Sequence, residues 1–125
     1  MEKMIPGQTN KKYSYLLRPG YGSEALLIEF VKGPIDAAFW LALSASLSEI
    51  NFQLGAVKEI WMNDEHHINA TSDAGTFLIT KDIWDFVFIL ADDNQGGLRR
   101  VDQILAESAD FQKDEADFEK YRKQK

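Results

Sequence analysis

Hydrophobic and polar positions along this chain follow two periods, and the densest pattern lies between Gly75 and Leu105. From Trp84 to Ala91 a period-two reading puts Trp84, Phe86, Phe88 and Leu90 on one face. Asp85, Val87, Ile89 and Ala91 fall on the other. A strand apolar on both faces predicts a place in the middle of a covered sheet. Asp92, Asp93 and Asn94 then break the run and offer an N-cap to a helix carrying Leu98, Val101, Ile104 and Leu105.

The same alternation predicts strands over 13–18 and 24–32, joined by the turn Pro19-Gly20-Tyr21-Gly22. Gly33-Pro34 then opens a helix over 34–50, with Ile35, Phe39, Leu43, Leu47 and Ile50 as a core stripe. Ala37, Trp40, Leu41 and Ala45 widen that stripe, and no charge falls between Asp36 and Glu49. The pattern predicts burial on two sides. The second cover is either another layer of the same domain, such as the C-terminal helix, or a second subunit across Ala37, Trp40, Leu41 and Ala45.

A meander follows, with strands over 56–62, 66–71 and 77–79 leading into the central strand. Its connections, Asn63-Asp64, Ser72 to Gly75 and Lys81-Asp82, are short enough to require antiparallel neighbours. In the tail, Ala109-Asp110-Phe111 and Ala116-Asp117-Phe118 repeat at seven residues, which predicts a helix with both phenylalanines on one face and Tyr121 beside them. The expected fold is α+β: an antiparallel meander sheet of five to six strands, two before and four after a buried helix. Its helices pack on one face, and a helical tail closes the chain. A polar lead-in over 1–12, one domain over 13–108 and a charged helix over 109–125 describe the organisation.

Composition narrows the function classes. The chain has 125 residues, no cysteine and a formal net charge of -6. Disulfides, thiolate catalysis and cysteine-zinc sites are excluded. The opening Met1 to Gly7 has no apolar leader, and the most apolar stretch, 35–43, is too short to cross a bilayer, so a cytoplasmic location is the expectation. Charge is unevenly spread: net +2 over 1–33, -8 over 34–95 and zero over 96–125. An acidic body of this kind disfavours nucleic acid and membrane surfaces and favours a basic protein partner.

Specific chemistry is sparse. Asn63-Asp64-Glu65-His66-His67 gathers metal-type ligands, but adjacent histidines on a strand point to opposite faces. No metal-binding histidine spacing is present, and no metal or cofactor is expected. Asp92 to Gly97 lacks the spacing of a phosphate loop and of a calcium loop, which leaves Asp92 and Asp93 as an unspecific cation site at most. Ser44, Ser46 and Ser48 lie on an apolar helix with no nucleophile-elbow pattern around them.

Three functions remain. The first is a non-enzymatic binding protein that presents Glu59, Asp64, Glu65, Asp73, Asp82 and Asp85 to a basic partner, with Trp61 as its exposed anchor. Bacterial immunity proteins that neutralise cationic nuclease toxins have a similar general character: small, acidic, cysteine-free and without a cofactor. No motif carries that similarity. The second is a homodimeric scaffold assembled through the helix over 34–50. The third is a small enzyme or ligand-binding domain using His66 or His67 with a nearby carboxylate.

Overall fold

A computed structural model describes residues 12–20, 23–32, 37–60, 65–84 and 86–118, with only the backbone of Lys32, Glu59 and Ile60. The chain forms β1 (Tyr13–Pro19), β2 (Leu26–Lys32), α1 (Ala37–Ser46), β3 (Gln53–Ile60), β4 (Glu65–Ser72), β5 (Gly75–Lys81), β6 (Val87–Leu90), α2 (Gln95–Glu107) and β7 (Phe111–Asp114). A short 3-10 turn over Ser48–Ile50 links α1 to β3.

The fold is α+β, built on one seven-stranded sheet in the order β3-β4-β5-β6-β2-β1-β7. β1 and β2 form the expected opening hairpin, and β3 to β6 form the expected antiparallel meander. β6 joins the two by pairing with β2, which puts the most apolar strand at the centre. Two features differ from the sequence expectation. The sheet is mixed, because β7 runs parallel to β1, and it has seven strands rather than five or six. The seventh strand is Phe111–Asp114, where the heptad-like spacing suggested helix. Phe111 is fully buried among Tyr13, Phe30 and Phe39, with ring centroids 5.4, 5.7 and 6.1 Å away. Burial of one large ring against three others outweighs a weak local helix preference.

Register makes one face of the sheet the core. Leu17, Ile28, Ile89, Ile79 and Ile68 are cross-strand partners in a single row through β1, β2, β6, β5 and β4. All of them are buried. Both helices cover this face, as expected from the one-sided layering of α+β folds. α1 delivers Phe39 edge-on to Tyr13 and Phe30, at 5.2 and 5.0 Å. α2 delivers Leu98, Val101, Ile104 and Leu105. Within the chain, helix α1 is covered on one side only: no further layer of the same domain lies over its other face among the described residues. Phe39 and Leu43 are buried, Leu41 is 71% exposed, and Ala37, Ala38 and Ala45 face outward. No helix of the described residues is long and apolar enough to cross a membrane.

Two side-chain devices lock the helices to the sheet. Asn94 caps α2 by accepting from the Gly97 amide at 3.2 Å, while its own amide group donates to the carbonyls of Ala74 (2.9 Å) and Thr76 (3.3 Å). The β4–β5 turn is thereby tied to the start of α2. At the other end, the buried Tyr15 hydroxyl lies 2.9 Å from both the Asp102 carboxylate and its carbonyl oxygen. Lys113 reaches the second carboxylate oxygen at 3.0 Å, so one aspartate joins β1, α2 and β7. Burial, followed by the hydrogen bond to Asp102 and the charge of that carboxylate, pushes the Tyr15 phenol well above its ordinary value of 10.0.

Each device makes a measurable prediction. A β-carbon on Gly97 would collide with the Ala74 carbonyl and the Asn94 side chain, whereas one on Gly96 meets nothing within 4 Å. In denaturant titrations Gly97→Ala is expected to lose about 2 kcal/mol, and Gly96→Ala to gain up to about 1 kcal/mol. Because the folded phenol of Tyr15 binds its proton more tightly than the unfolded one, its contribution is complete below pH 10.0 and declines as pH rises beyond it. Wild-type stability should therefore fall above that pH by up to about 1.4 kcal/mol per unit more steeply than that of Tyr15→Phe. Tyr15→Phe itself should cost about 1–2 kcal/mol at neutral pH. Equal slopes in the two proteins would show that Tyr15 is not the titrating group.

Candidate functional site

The sheet face opposite the helices carries the alternate residues of every strand. Leu27, Leu90, Leu78 and Asn69 are register partners in one row, and Glu29, Phe88, Thr80 and His67 in the next. These side chains are mostly half-buried, sheltered by one another rather than by a further layer among the described residues. Near the middle, Arg18 and Glu29 form an ion pair of 2.7 Å with both side chains largely buried, at 6% and 15% exposure. The guanidinium also donates to the Pro19 carbonyl at 2.9 Å and sits 5.7 Å from the centre of the Phe88 ring. The centre of this open face is therefore locally neutral and partly apolar.

One end of the face is aromatic. The Asp82 carboxylate accepts from the amides of Trp84 and Phe86, at 2.9 and 3.0 Å, which closes a tight turn between β5 and β6. The turn ends β5 early and pushes its apolar residues outward: Ile83 is 60% exposed, Trp84 71% and Phe86 48%. Val31 on β2, at 42% exposure, follows Phe30, whose register partner is Val87, the residue after Phe86. Three exposed large apolar side chains within four residues, a tryptophan among them, are rare on a protein surface unless a partner covers them. Trp84 and Phe86 are therefore not core residues of a central strand, as the alternation suggested, and the regular part of β6 begins only at Val87.

The other end is a groove of about 630 Å³ at the C-terminal end of β6. Leu78 and Leu90 form its floor, with Asn69, Thr76, Asp92 and Asp93 around it. Asn94, not either aspartate, makes the helix cap, so the two carboxylates stand free at the rim.

The acidic residues singled out from sequence divide between these two ends. Glu65 is at the aromatic end, because His66 pairs with Lys81 and so aligns Glu65 with Asp82. Its carboxylate lies 2.9 Å from Nε2 of His67. Asp73 sits at the opposite end, on the β4–β5 turn, where it accepts from the Asn51 side chain at 2.8 Å. Trp61, Asp64, Asp85 and the Glu59 side chain lie outside the described residues. His66 and His67 both belong to β4, so their rings leave the sheet from opposite faces. Among the described residues no three histidines, aspartates or glutamates converge as a metal-binding group. On α1, Ala37, Leu41 and Ala45 are exposed, while Trp40 is half-buried edge-on to Phe39 at 5.0 Å.

No family model matches the chain, and neither the curated proteins nor the solved structures supply a match.

Sequence reasoning missed the aromatic end, and of the groove it offered only the two rim carboxylates, Asp92 and Asp93. Asp82, four residues before Phe86, was the available signal for the first, since an aspartate readily caps a turn over the next two to four amides. The rest of the groove had no linear signal, because its floor comes from β5 and β6 and one wall from β4.

Proposed function

We propose that the protein is a non-enzymatic binding protein that engages a basic protein partner across the open face of its sheet, acting as an immunity-type inhibitor of a toxin. The observation that carries this reading is the exposed group Ile83, Trp84 and Phe86, held out by the Asp82 turn. Tryptophan at the centre of an apolar patch is the residue type that most often dominates a protein interface. Glu65 and Asp82 flank it, and Asp85 follows Trp84 in the sequence. Their charge would accelerate encounter with a cationic partner and select against acidic ones. Cytoplasmic residence suits such a role and a chain with no cysteine.

A specific observation also supports a second reading, a homodimer through α1. This helix has no charged residue, and its outward face of Ala37, Ala38, Leu41 and Ala45 is apolar. In a protein of net charge -6 an uncharged face is where two copies meet with least repulsion. An antiparallel pair centred on Leu41 would set Ala37 of each copy opposite Ala45 of the other.

Two measurements test these readings. Binding of a basic protein partner should weaken steeply between low and high salt. In the same assay Trp84→Ala should weaken it by roughly thirtyfold, the scale of an interface hot spot. Binding that ignores both salt and Trp84 would remove the first reading. For the second, light scattering after size exclusion should give a dimer for the wild type and a monomer for Leu41→Glu. A wild-type monomer at high protein concentration would remove it.

A further inference from the structure

The groove at the far end of the open face has a shape and a charge that the aromatic anchor does not explain. Its floor, Leu78 and Leu90, is a half-buried cross-strand pair. Its wall is held rigidly, because the Asn94 amide bonds back to the Ala91 carbonyl at 2.9 Å and the Asn94 side chain is committed to Gly97, Ala74 and Thr76. Asp92 and Asp93 differ from four other acidic side chains of the sheet and its turns, and share their lack of a partner with Asp114 on the edge strand β7. Glu29 is paired with Arg18, Glu65 with His67, Asp73 with Asn51, and Asp82 with the amides of its own turn. Asp92 and Asp93 have no hydrogen-bond or ion-pair partner among the described residues, and both are exposed beside an apolar floor.

A cation with an apolar stem complements this arrangement. We propose that the groove receives an arginine side chain of the basic partner. Its methylenes would lie on Leu78 and Leu90, and its guanidinium between Asp92 and Asp93, on the side of the groove lined by the Asn69 side chain. A planar guanidinium can bridge two carboxylates and carries little hydration, whereas lysine offers one compact charge. The groove lies about 13 Å along β6 from Phe86, within the footprint of one partner spanning both ends of the face. This inference rests on the basic-partner reading and adds to it the residue type recognised and the place where it sits.

The test titrates N-acetylarginine methylamide into the isotopically labelled protein and follows its backbone amides by NMR. Norleucine, uncharged and of similar stem length, serves as the control in the same capped form. Saturable shifts are expected at Asn69, Leu78, Leu90, Asp92 and Asp93, with much weaker binding of the norleucine probe. The double variant D92N/D93N should bind the arginine probe about tenfold more weakly, the weight of two exposed charge contacts. Its thermal midpoint should match the wild type, since neither aspartate supports another residue. Shifts of equal size at Glu65 and Asp73, or binding unchanged in D92N/D93N, would overturn the proposal. Trp84→Ala keeps the two ideas separate, because it should leave the probe titration intact. If the basic protein binds in a Trp84-dependent way while the arginine probe finds no groove, the groove proposal falls and the docking reading stands. If the probe binds and the basic protein does not, the docking reading falls and the cation site remains.

Discussion

Area is the constraint from which the rest of this structure follows. Seven strands at ordinary spacing make a sheet about 30 Å wide, and two helices of 10 and 13 residues must cover it. Each helix with its side chains is about 10 Å across, so the pair spans about two thirds of one face and leaves nothing for the other. The sheet therefore has a packed side and a side whose alternate residues shelter one another. On the packed side the row of Leu17, Ile28, Ile89, Ile79 and Ile68 is sealed beneath Phe39 and α2. On the other, the Arg18–Glu29 pair lets charged groups sit low on the sheet without leaving either one uncompensated.

The two sides are mechanically linked. The Asn94 cap begins α2 on the packed side and shapes the wall of the groove on the open side. The Tyr15–Asp102–Lys113 cluster holds α2 against β1 and β7, so the frame behind the open face cannot shear without breaking buried hydrogen bonds. A binding surface supported this way loses little conformational freedom when it is occupied, which favours tight association from a modest contact area.

Much of this architecture was legible in the alternation of residues. The hairpin over 13–32, the meander, the central place of Val87 to Leu90 and the start of α2 at Asn94 all follow from period two, period three to four and turn chemistry. The errors have physical causes. Trp84 and Phe86 continue the strand pattern in sequence, but Asp82 satisfies their amides locally, so they leave the ladder. The apolar breadth of α1 implied a second cover, from the same domain or from a second copy, and the first of these is absent, since Leu41 faces outward within the chain. Phe111 and Phe118 match a helical repeat, yet a strand of four residues is too short to show any period of its own. The candidate site was harder to read than the fold. Leu78, Leu90, Asn69 and Asp92 are brought together by register across three strands, and no local spacing encodes that.

The parallel seating of β7 on β1 also determines when the fold can be finished. Tyr13 and Phe111 are register partners, and Phe30 and Phe39 close the same aromatic cluster. A chain emerging from the ribosome can zip the meander early, because each of its strands meets a near neighbour. The first strand must wait with one edge unpaired and its aromatic side chains short of a fourth ring until Phe111 has been synthesised. Completion of the cluster is thus a late, long-range event, and the nascent chain needs protection from wrong pairing at that edge for most of its translation.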